Sequence, residues 1–392
     1  MTKLIESITA KDKRLAVGIM SGTSFDGVDV AFCEITGHGP GTKVRLLHFD
    51  TKAYSSANRA ALLMNSSAET SNVADICRLN KQLGVLIGGA VLEIAESGGI
   101  SMDDVDFIAS HGQTMFHMPD IGATLQIGEP ADIAAITNKP VVADFRPSDM
   151  AYGGQGAPLV PFTDYILYRD ENLNRVTFNI GGIGNVTILP KGCDMDAVRA
   201  FDTGPGNVNI DNLMRLHTKG EENFDYNGNM ASTGKQNMEF CEYLADADPF
   251  LTIRPPKSTG REFYTISFAE KLLRRAQEFG IPFPDVLASV TNHTAYALWY
   301  ALTYFNNTPV DEILVTGGGA RNKYLMGCIE ALFPGKVKKL DNFKTSDAKE
   351  AVAFAILGNE FLHGGANNMP LSTGAKRAVI MGKLTLPSGG TV

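Results

Sequence analysis

Leu15–Ile35, LAVGIMSGTSFDGVDVAFCEI, decides the fold. An apolar run, Leu15 to Met20, leads into a turn of small and polar residues, Ser21 to Gly27, and a second apolar run follows, Val28 to Ile35. Two such runs joined by a glycine-containing turn make a β-hairpin. Arg175–Leu189 repeats the form with Val176 to Ile180, a turn Gly181 to Asn185, and Val186 to Leu189. Repetition of one unit points to two related lobes, although strand and glycine-turn units are common enough to recur by coincidence.

Between the hairpins, Ser71–Glu96 carries Ile76, Leu79, Leu83, Leu86, Ile87 and Val91 at helical spacing, and Asp106–Ala109 reads as a buried strand. Further on come a helix over Asp285–Phe305, a strand Glu312–Thr316, a glycine turn and a helix from Asn322 to Leu332. The last helix spans Ser346–Leu362, with Ser346 as its cap and Asp347 in its first turn. Strands alternating with helices give an α/β fold. The Pro/Gly-rich stretch Arg146–Pro161 marks the crossing between lobes.

A chain of 392 residues, 44% of them hydrophobic, buries enough for two domains, so two lobes with a cleft are expected. The net charge of −8, with Lys and Arg dispersed, argues against a nucleic-acid surface and leaves room for one anionic ligand. Met1–Arg14 lacks the apolar core of an export signal. No later window spans a bilayer, and even Leu83–Ala95 is cut by Glu93. Cys33, Cys77, Cys193, Cys241 and Cys328 are odd in number and form no CxxC pair, which suits reduced thiols in a cytoplasm.

Several short stretches carry chemistry. In the first turn, Gly22, Thr23, Ser24, Phe25, Asp26, Gly27, Val28 and Asp29 offer backbone N–H groups and hydroxyls to a phosphate, and Asp26 can hold magnesium through water. The same residues also make an ordinary hairpin turn. Gly181 and Gly182 occupy the matching turn of the second hairpin, and a cleft lined by both turns would grip a polyphosphate from two sides. Gly317, Gly318 and Gly319 follow a buried strand and lead to Asn322 at a helix start, where backbone can approach a ribose or an adenine; a tight turn without ligand is the alternative. The P-loop pattern and G-x-G-x-x-G after a strand are both missing, as are HExxH and paired Cys ligands.

Asp202 opens the side-chain-poor loop Asp202–Asn207 and is placed either to take a proton from a hydroxyl or water, or to cap the helix expected at Asn207–Leu216. Ser110–Thr114 lies just past the strand at Asp106–Ala109, where α/β proteins bind ligands, and brings His111, Gln113 and Thr114. Arg146 offers a planar fork to a carboxylate. The alternatives are a structural histidine and a surface ion pair. Glu350 near the start of the last helix either helps position magnesium or lies on a solvated face.

Taken together, GIMSGTSFDGVD, SHGQT, ADFRPSDMAYGGQGAPLVP, NIGGIGN, FDTGPGN, PPKSTGREF, TGGGARN and KEAVAFA, in this order, resemble the anhydro-N-acetylmuramic acid kinase family almost from end to end. Phe25 stands where Leu or Met would be expected, a packing change. The resemblance implies a two-lobed actin/hexokinase-like ATPase fold with duplicated ribonuclease-H-like domains around a cleft. It implies that water opens the 1,6-anhydro ring while O6 takes the γ-phosphate of ATP, giving N-acetylmuramic acid 6-phosphate in peptidoglycan recycling, with inversion at the anomeric carbon. Asp202 is then the base that activates water. Gly22 to Asp29 hold the phosphates, with the glycine turns and Asn322 on the nucleotide. Magnesium bridges the phosphates, with Asp26 reaching it through water and Glu350 behind its direct ligands, and His111, Gln113, Thr114 and Arg146 hold the sugar. A homodimer is implied as well. The expected division is residues 1–146 completed by 365–392, and 147–364. The rival readings are an ordinary N-acetylhexosamine kinase and an actin-like ATPase switch.

Overall fold

Runs of buried apolar residues, with both faces covered and Val17, Ile19, Val28 and Val30 β-branched, make Lys13–Ser21 (β1) and Gly27–Thr36 (β2) an antiparallel pair, with Leu15 opposite Glu34 and Met20 opposite Asp29. The structure is a computed structural model and describes residues 2–22, 25–259, 263–340 and 348–387. The chain forms two compact units, Met1–Leu167 with Phe343–Val392, and Tyr168–Asn342, so it passes from one to the other after the Arg146–Pro161 stretch.

In the first unit β2 continues into Lys43–Ala53 (β3), again antiparallel. On its other side β1 pairs in parallel with Phe107–Met118 (β4). Ala123–Ile127 (β5) folds back on β4, and Val141–Ala143 (β6) lies parallel beyond it. Helix Val73–Ser97 (α1) is capped by Asn72, whose side chain accepts from Asp75 N–H, and it buries Leu79, Leu83, Ile87 and Val91 in a core shared with Val17, Ile19 and Ile108.

β4 is longer than its sequence suggests. The expected end at Ala109 is corrected: the strand runs on through Ser110–Thr114 because Gly112, at φ +69°, makes a bulge. The β1 register shifts there, with Ile19 opposite Ser110 but Ser21 opposite Gln113. A Cβ on Gly112 would stand 2.4 Å from the Ile127 carbonyl oxygen of β5.

The second unit repeats the order. Arg175–Ile180 (β7), Ile183–Leu189 (β8) and Arg199–Pro205 (β9) form an antiparallel meander, and Glu312–Thr316 (β10) and Val337–Lys339 (β11) add on in parallel. The sheet order β11-β10-β7-β8-β9 matches β6-β4-β1-β2-β3 of the first unit, so the duplicated α/β unit of ribonuclease-H-like type is seen directly in strand order and direction. Phe283–Tyr304 (α2) buries Ala295, Leu298 and Ala301 against Val176, Phe178 and Val315.

The returning chain forms helix Lys349–Leu362 (α3) and strand Lys383–Thr385 (β12), which pairs with β6. The expected cap Ser346 and first-turn Asp347 lie outside the described residues. α3 belongs to the first unit and lies so close on β1 that a Cβ on Gly18 would stand 1.9 Å from the Ala351 carbonyl oxygen. The small residues of KEAVAFA permit that approach.

Candidate active site

In the first unit the β1–β2 turn rests on a buried polar knot. The Ser21 hydroxyl lies 2.9 Å from the Gly27 carbonyl oxygen, 2.5 Å from Gln113 Oε1 and 2.7 Å from Tyr54 Oη. Gln113 Nε2 donates to the Gly22 carbonyl at 3.1 Å. Gln113 is fully buried, so its amide is spent on shaping the turn. Phe25 is buried at φ +52°, a left-handed conformation that costs a non-glycine residue of order 1 kcal/mol and turns the chain sharply there. Asp26 is exposed, and its carbonyl accepts from Tyr54 N–H at 2.9 Å. Asp29 accepts from the Thr51 hydroxyl at 2.5 Å. Thr23 and Ser24 lie outside the described residues.

The β4 bulge turns His111 inward beside Phe354, with ring centroids 4.9 Å apart. Arg146 donates to His111 Nε2 through Nε at 3.1 Å and Nη2 at 3.0 Å, and through Nη1 to the Gly156 carbonyl at 2.7 Å. A guanidinium only donates, so Nε2 accepts and the ring proton sits on Nδ1, 2.9 Å from the Gly112 carbonyl oxygen. Burial, and then the Arg146 charge, push His111 down to about 3, which keeps it neutral. Burial also lowers Arg146 to about 10. Thr114 accepts from Gln126 Nε2 at 3.2 Å.

Glu350 stands in the first turn of α3 and keeps an open path to solvent. Its carboxyl lies above the usual range, through desolvation first and then through the like charge of Asp29, against Lys349 and Arg146. Among the described residues no three His, Cys, Asp or Glu side chains gather as a metal cage.

In the second unit three glycine motifs converge. A Cβ on Gly319 would stand 2.2 Å from Ile180 Cγ2, one on Gly317 (φ +84°) 2.6 Å from the Ile180 carbonyl oxygen, and one on Gly206 2.4 Å from the Gly181 carbonyl oxygen. The N–H groups of Gly206 and Asn207 donate to the carbonyls of Gly182 and Gly181, each at 2.8 Å. Gly318 has open space around it, and Gly182 is exposed, so backbone is bare at this point. Asn322 caps the helix Lys323–Leu332, its side chain accepting from Leu325 N–H at 3.0 Å.

Asp202 lies half-buried on β9, opposite Asn185 of β8. The helix that follows is Val208–His217, and Asp202 is not its cap; Asn207 holds that position without a side-chain bond. Instead Asp202 Oδ2 accepts from the Ser258 hydroxyl at 3.1 Å and from Thr259 N–H at 2.8 Å, and Asp202 N–H donates to the Lys257 carbonyl at 3.2 Å. Ser258 and Thr259 were not among the site residues expected from sequence; the only sign of them was the stretch PPKSTGREF.

A family model described as anhydro-N-acetylmuramic acid kinase matches residues 14–387. The anhydro-N-acetylmuramic acid kinase of Caldanaerobacter subterraneus subsp. tengcongensis is 45% identical over 388 residues, covering 96% of this chain and 98% of the relative. That of Clostridioides difficile is 44% identical over 386 residues, covering 96% and 99%. Among solved structures, a ROK family glucokinase from Streptomyces griseus in complex with glucose and AMPPNP aligns with 88% of this chain and 98% of its own at 14% identity and a TM-score of 0.38, a distant likeness.

Proposed function

The chain belongs to the anhydro-N-acetylmuramic acid kinase family and is an ATP-using kinase, and from that premise we propose the parts its residues play in a coupled hydrolysis and phosphoryl transfer. The substrate is 1,6-anhydro-N-acetylmuramic acid. In the reaction the oxygen of water bonds to C1 as the C1–O6 bond breaks, O6 takes the γ-phosphoryl group, and the β–γ bridging oxygen leaves with ADP. One proton of the water passes to Asp202 and then to solvent. The product is N-acetylmuramic acid 6-phosphate, as peptidoglycan recycling requires.

The observation that carries this reading is the 45% and 44% identity, over nearly the whole chain, to relatives of that name. The position of Asp202, held by donors on the strand that leads into the Gly206 turn and paired with Asn185 of the second glycine turn, supports its role as the base. Gly181, Gly182 and Gly317–Gly319 serve the nucleotide, and the Gly22–Asp29 turn serves its phosphates. Arg146 takes the lactyl carboxylate of the sugar. His111 and Gln113, both buried and hydrogen-bonded within the protein, act by shaping Arg146 and the phosphate turn. Asn322 acts by anchoring the helix after the glycine turn.

The exposed Asp26, and Asp29 and Glu350 with their mutual repulsion, fit a magnesium ion, which needs only one or two carboxylates alongside phosphate oxygens and water. When bound, magnesium would neutralise charge on the transferred phosphoryl group. A cytoplasmic setting agrees with five free cysteines, Cys33, Cys193 and Cys328 of them buried, and no helix among the described residues is long and apolar enough to cross a membrane. The homodimer rests on the family resemblance, and sedimentation velocity tests it.

The deciding experiment is ADP formation with magnesium and the anhydro sugar, with free N-acetylmuramic acid, or with no sugar, in ¹⁸O-water. The expected result is ADP with the anhydro sugar alone and a 6-phosphate carrying ¹⁸O at C1. Turnover on the free sugar alone marks an ordinary kinase, and turnover without sugar an ATPase switch.

A further inference from the structure

Residues 257–259 grip Asp202 through both its backbone and its carboxylate. The Lys257 carbonyl takes Asp202 N–H, while the Ser258 hydroxyl and Thr259 N–H converge on Asp202 Oδ2. Nothing in a β-strand requires this, because β9 already pairs with β8 on its other side.

The gripping segment is itself anchored. Lys257 Nζ donates to the carbonyls of Phe250 at 3.0 Å and Leu251 at 3.3 Å, and stands 4.4 Å above the Phe250 ring. The buried Asp248 carboxylate accepts from Tyr264 Oη and lies against His293 Nε2, each at 3.0 Å, so Lys257 and Tyr264 are both held by residues 248–251. Ser258 at the tip is exposed. A segment this heavily anchored, ending in two donors on one carboxylate oxygen, is built to hold that carboxylate.

We propose that Ser258, together with the Thr259 N–H, is a positioning element for the general base: it fixes the Asp202 carboxylate and stabilises its ionised form. The inference rests on Asp202 being the base. Hydrogen bonds to an ionised carboxylate favour the charged state and hold its plane. Lys257 and Tyr264 also stand within electrostatic reach of Asp202, with Asp248 behind them, so the field at the base is not set by Ser258 alone.

The test uses full-length Ser258→Ala, Ser258→Thr and Asp202→Asn enzymes with anhydro-N-acetylmuramic acid and magnesium-ATP. Loss of one donor to a charged group should lower kcat roughly tenfold in Ser258→Ala and leave KM for ATP unchanged. With one fewer donor the base holds its proton more tightly, so the acid limb of the kcat profile should move up by about one pH unit. Ser258→Thr, which keeps the hydroxyl, should restore both. Wild-type kcat and an unmoved acid limb in Ser258→Ala, beside an inactive Asp202→Asn, would overturn the inference and leave the base in place. So would a lower kcat with an unmoved limb. Near-normal turnover in Asp202→Asn would instead remove the base itself.

Discussion

His111 Nε2 accepts two hydrogen bonds from Arg146, from Nε at 3.1 Å and Nη2 at 3.0 Å, so a buried neutral imidazole aims the guanidinium. The fork is fixed on a third side by the Gly156 carbonyl. An arginine held this way is ready for a carboxylate, because little side-chain freedom remains to be lost on binding.

Arg146→Lys should therefore raise KM for the anhydro sugar about tenfold or more, since an ammonium has no planar fork to match a carboxylate or to span His111 and Gly156. KM for ATP should stay near its original value. Steady-state kinetics with each substrate varied in turn checks this, and an equal rise for both would show that Arg146 acts on the unit as a whole.

The same pair makes stability depend on pH. His111 titrates near 3 in the folded protein, against about 6.5 in an unfolded chain. Between those values the unfolded state binds the extra proton, so the contribution is whole above pH 6.5 and is lost as pH falls towards 3, by up to about 1.4 kcal/mol per pH unit. In His111→Gln the amide oxygen can still accept from Arg146 but nothing titrates. From pH 6.5 to 5 the wild type should lose about 2 kcal/mol more than the variant in urea unfolding. Parallel curves would mean that His111 is not held neutral.

Much of the fold was legible because its signals are local. The hairpins at Leu15–Ile35 and Arg175–Leu189, the strand Glu312–Thr316 and the helix capped by Asn322 follow from runs, turns and caps a few residues apart. What was missed is long-range. The end of β4 depends on β5 and on a bulge at Gly112, which turns His111 and Gln113 into the protein. The Asp202 clip comes from 56 residues along the chain. Asp149, inside the Pro/Gly-rich stretch, bonds to side chains 219 and 224 residues away. No periodicity in one sequence encodes such partners.

That last contact gives a further prediction. The fully buried Asp149 carboxylate accepts from Asn368 Nδ2 at 2.7 Å, Thr373 Oγ1 at 2.8 Å and Gly156 N–H at 2.8 Å, tying the chain near the C-terminus to the loop that holds Arg146. Thr373→Val keeps the shape but removes one donor from a buried anion, and should cost about 1–3 kcal/mol in urea unfolding. Thr373→Ser should recover most of that loss. A Thr373→Val variant as stable as the wild type would mean that the hydroxyl contributes nothing, and if Thr373→Ser alone were destabilised the methyl group would be what matters.

Gly18 and Gly89 should respond to the same substitution with opposite signs. A Cβ at Gly18 would stand 1.9 Å from the Ala351 carbonyl oxygen and 2.9 Å from Ala355 N, both backbone atoms of α3, so Gly18→Ala cannot be absorbed by a rotamer change and must push helix from sheet. Overpacking against backbone should cost at least about 3 kcal/mol. It should also lower kcat/KM, since α3 carries Glu350 one residue from the contact. Gly89 lies exposed within α1, where an added Cβ meets nothing within 4 Å. Gly89→Ala should stabilise by roughly 0.5–1 kcal/mol through helix propensity and a less flexible unfolded chain, with kinetics unchanged. Urea unfolding of the two variants, each assayed for turnover, checks the pair. A tolerated alanine at Gly18 would mean that α3 does not sit against β1 as closely as the Gly18–Ala351 approach requires.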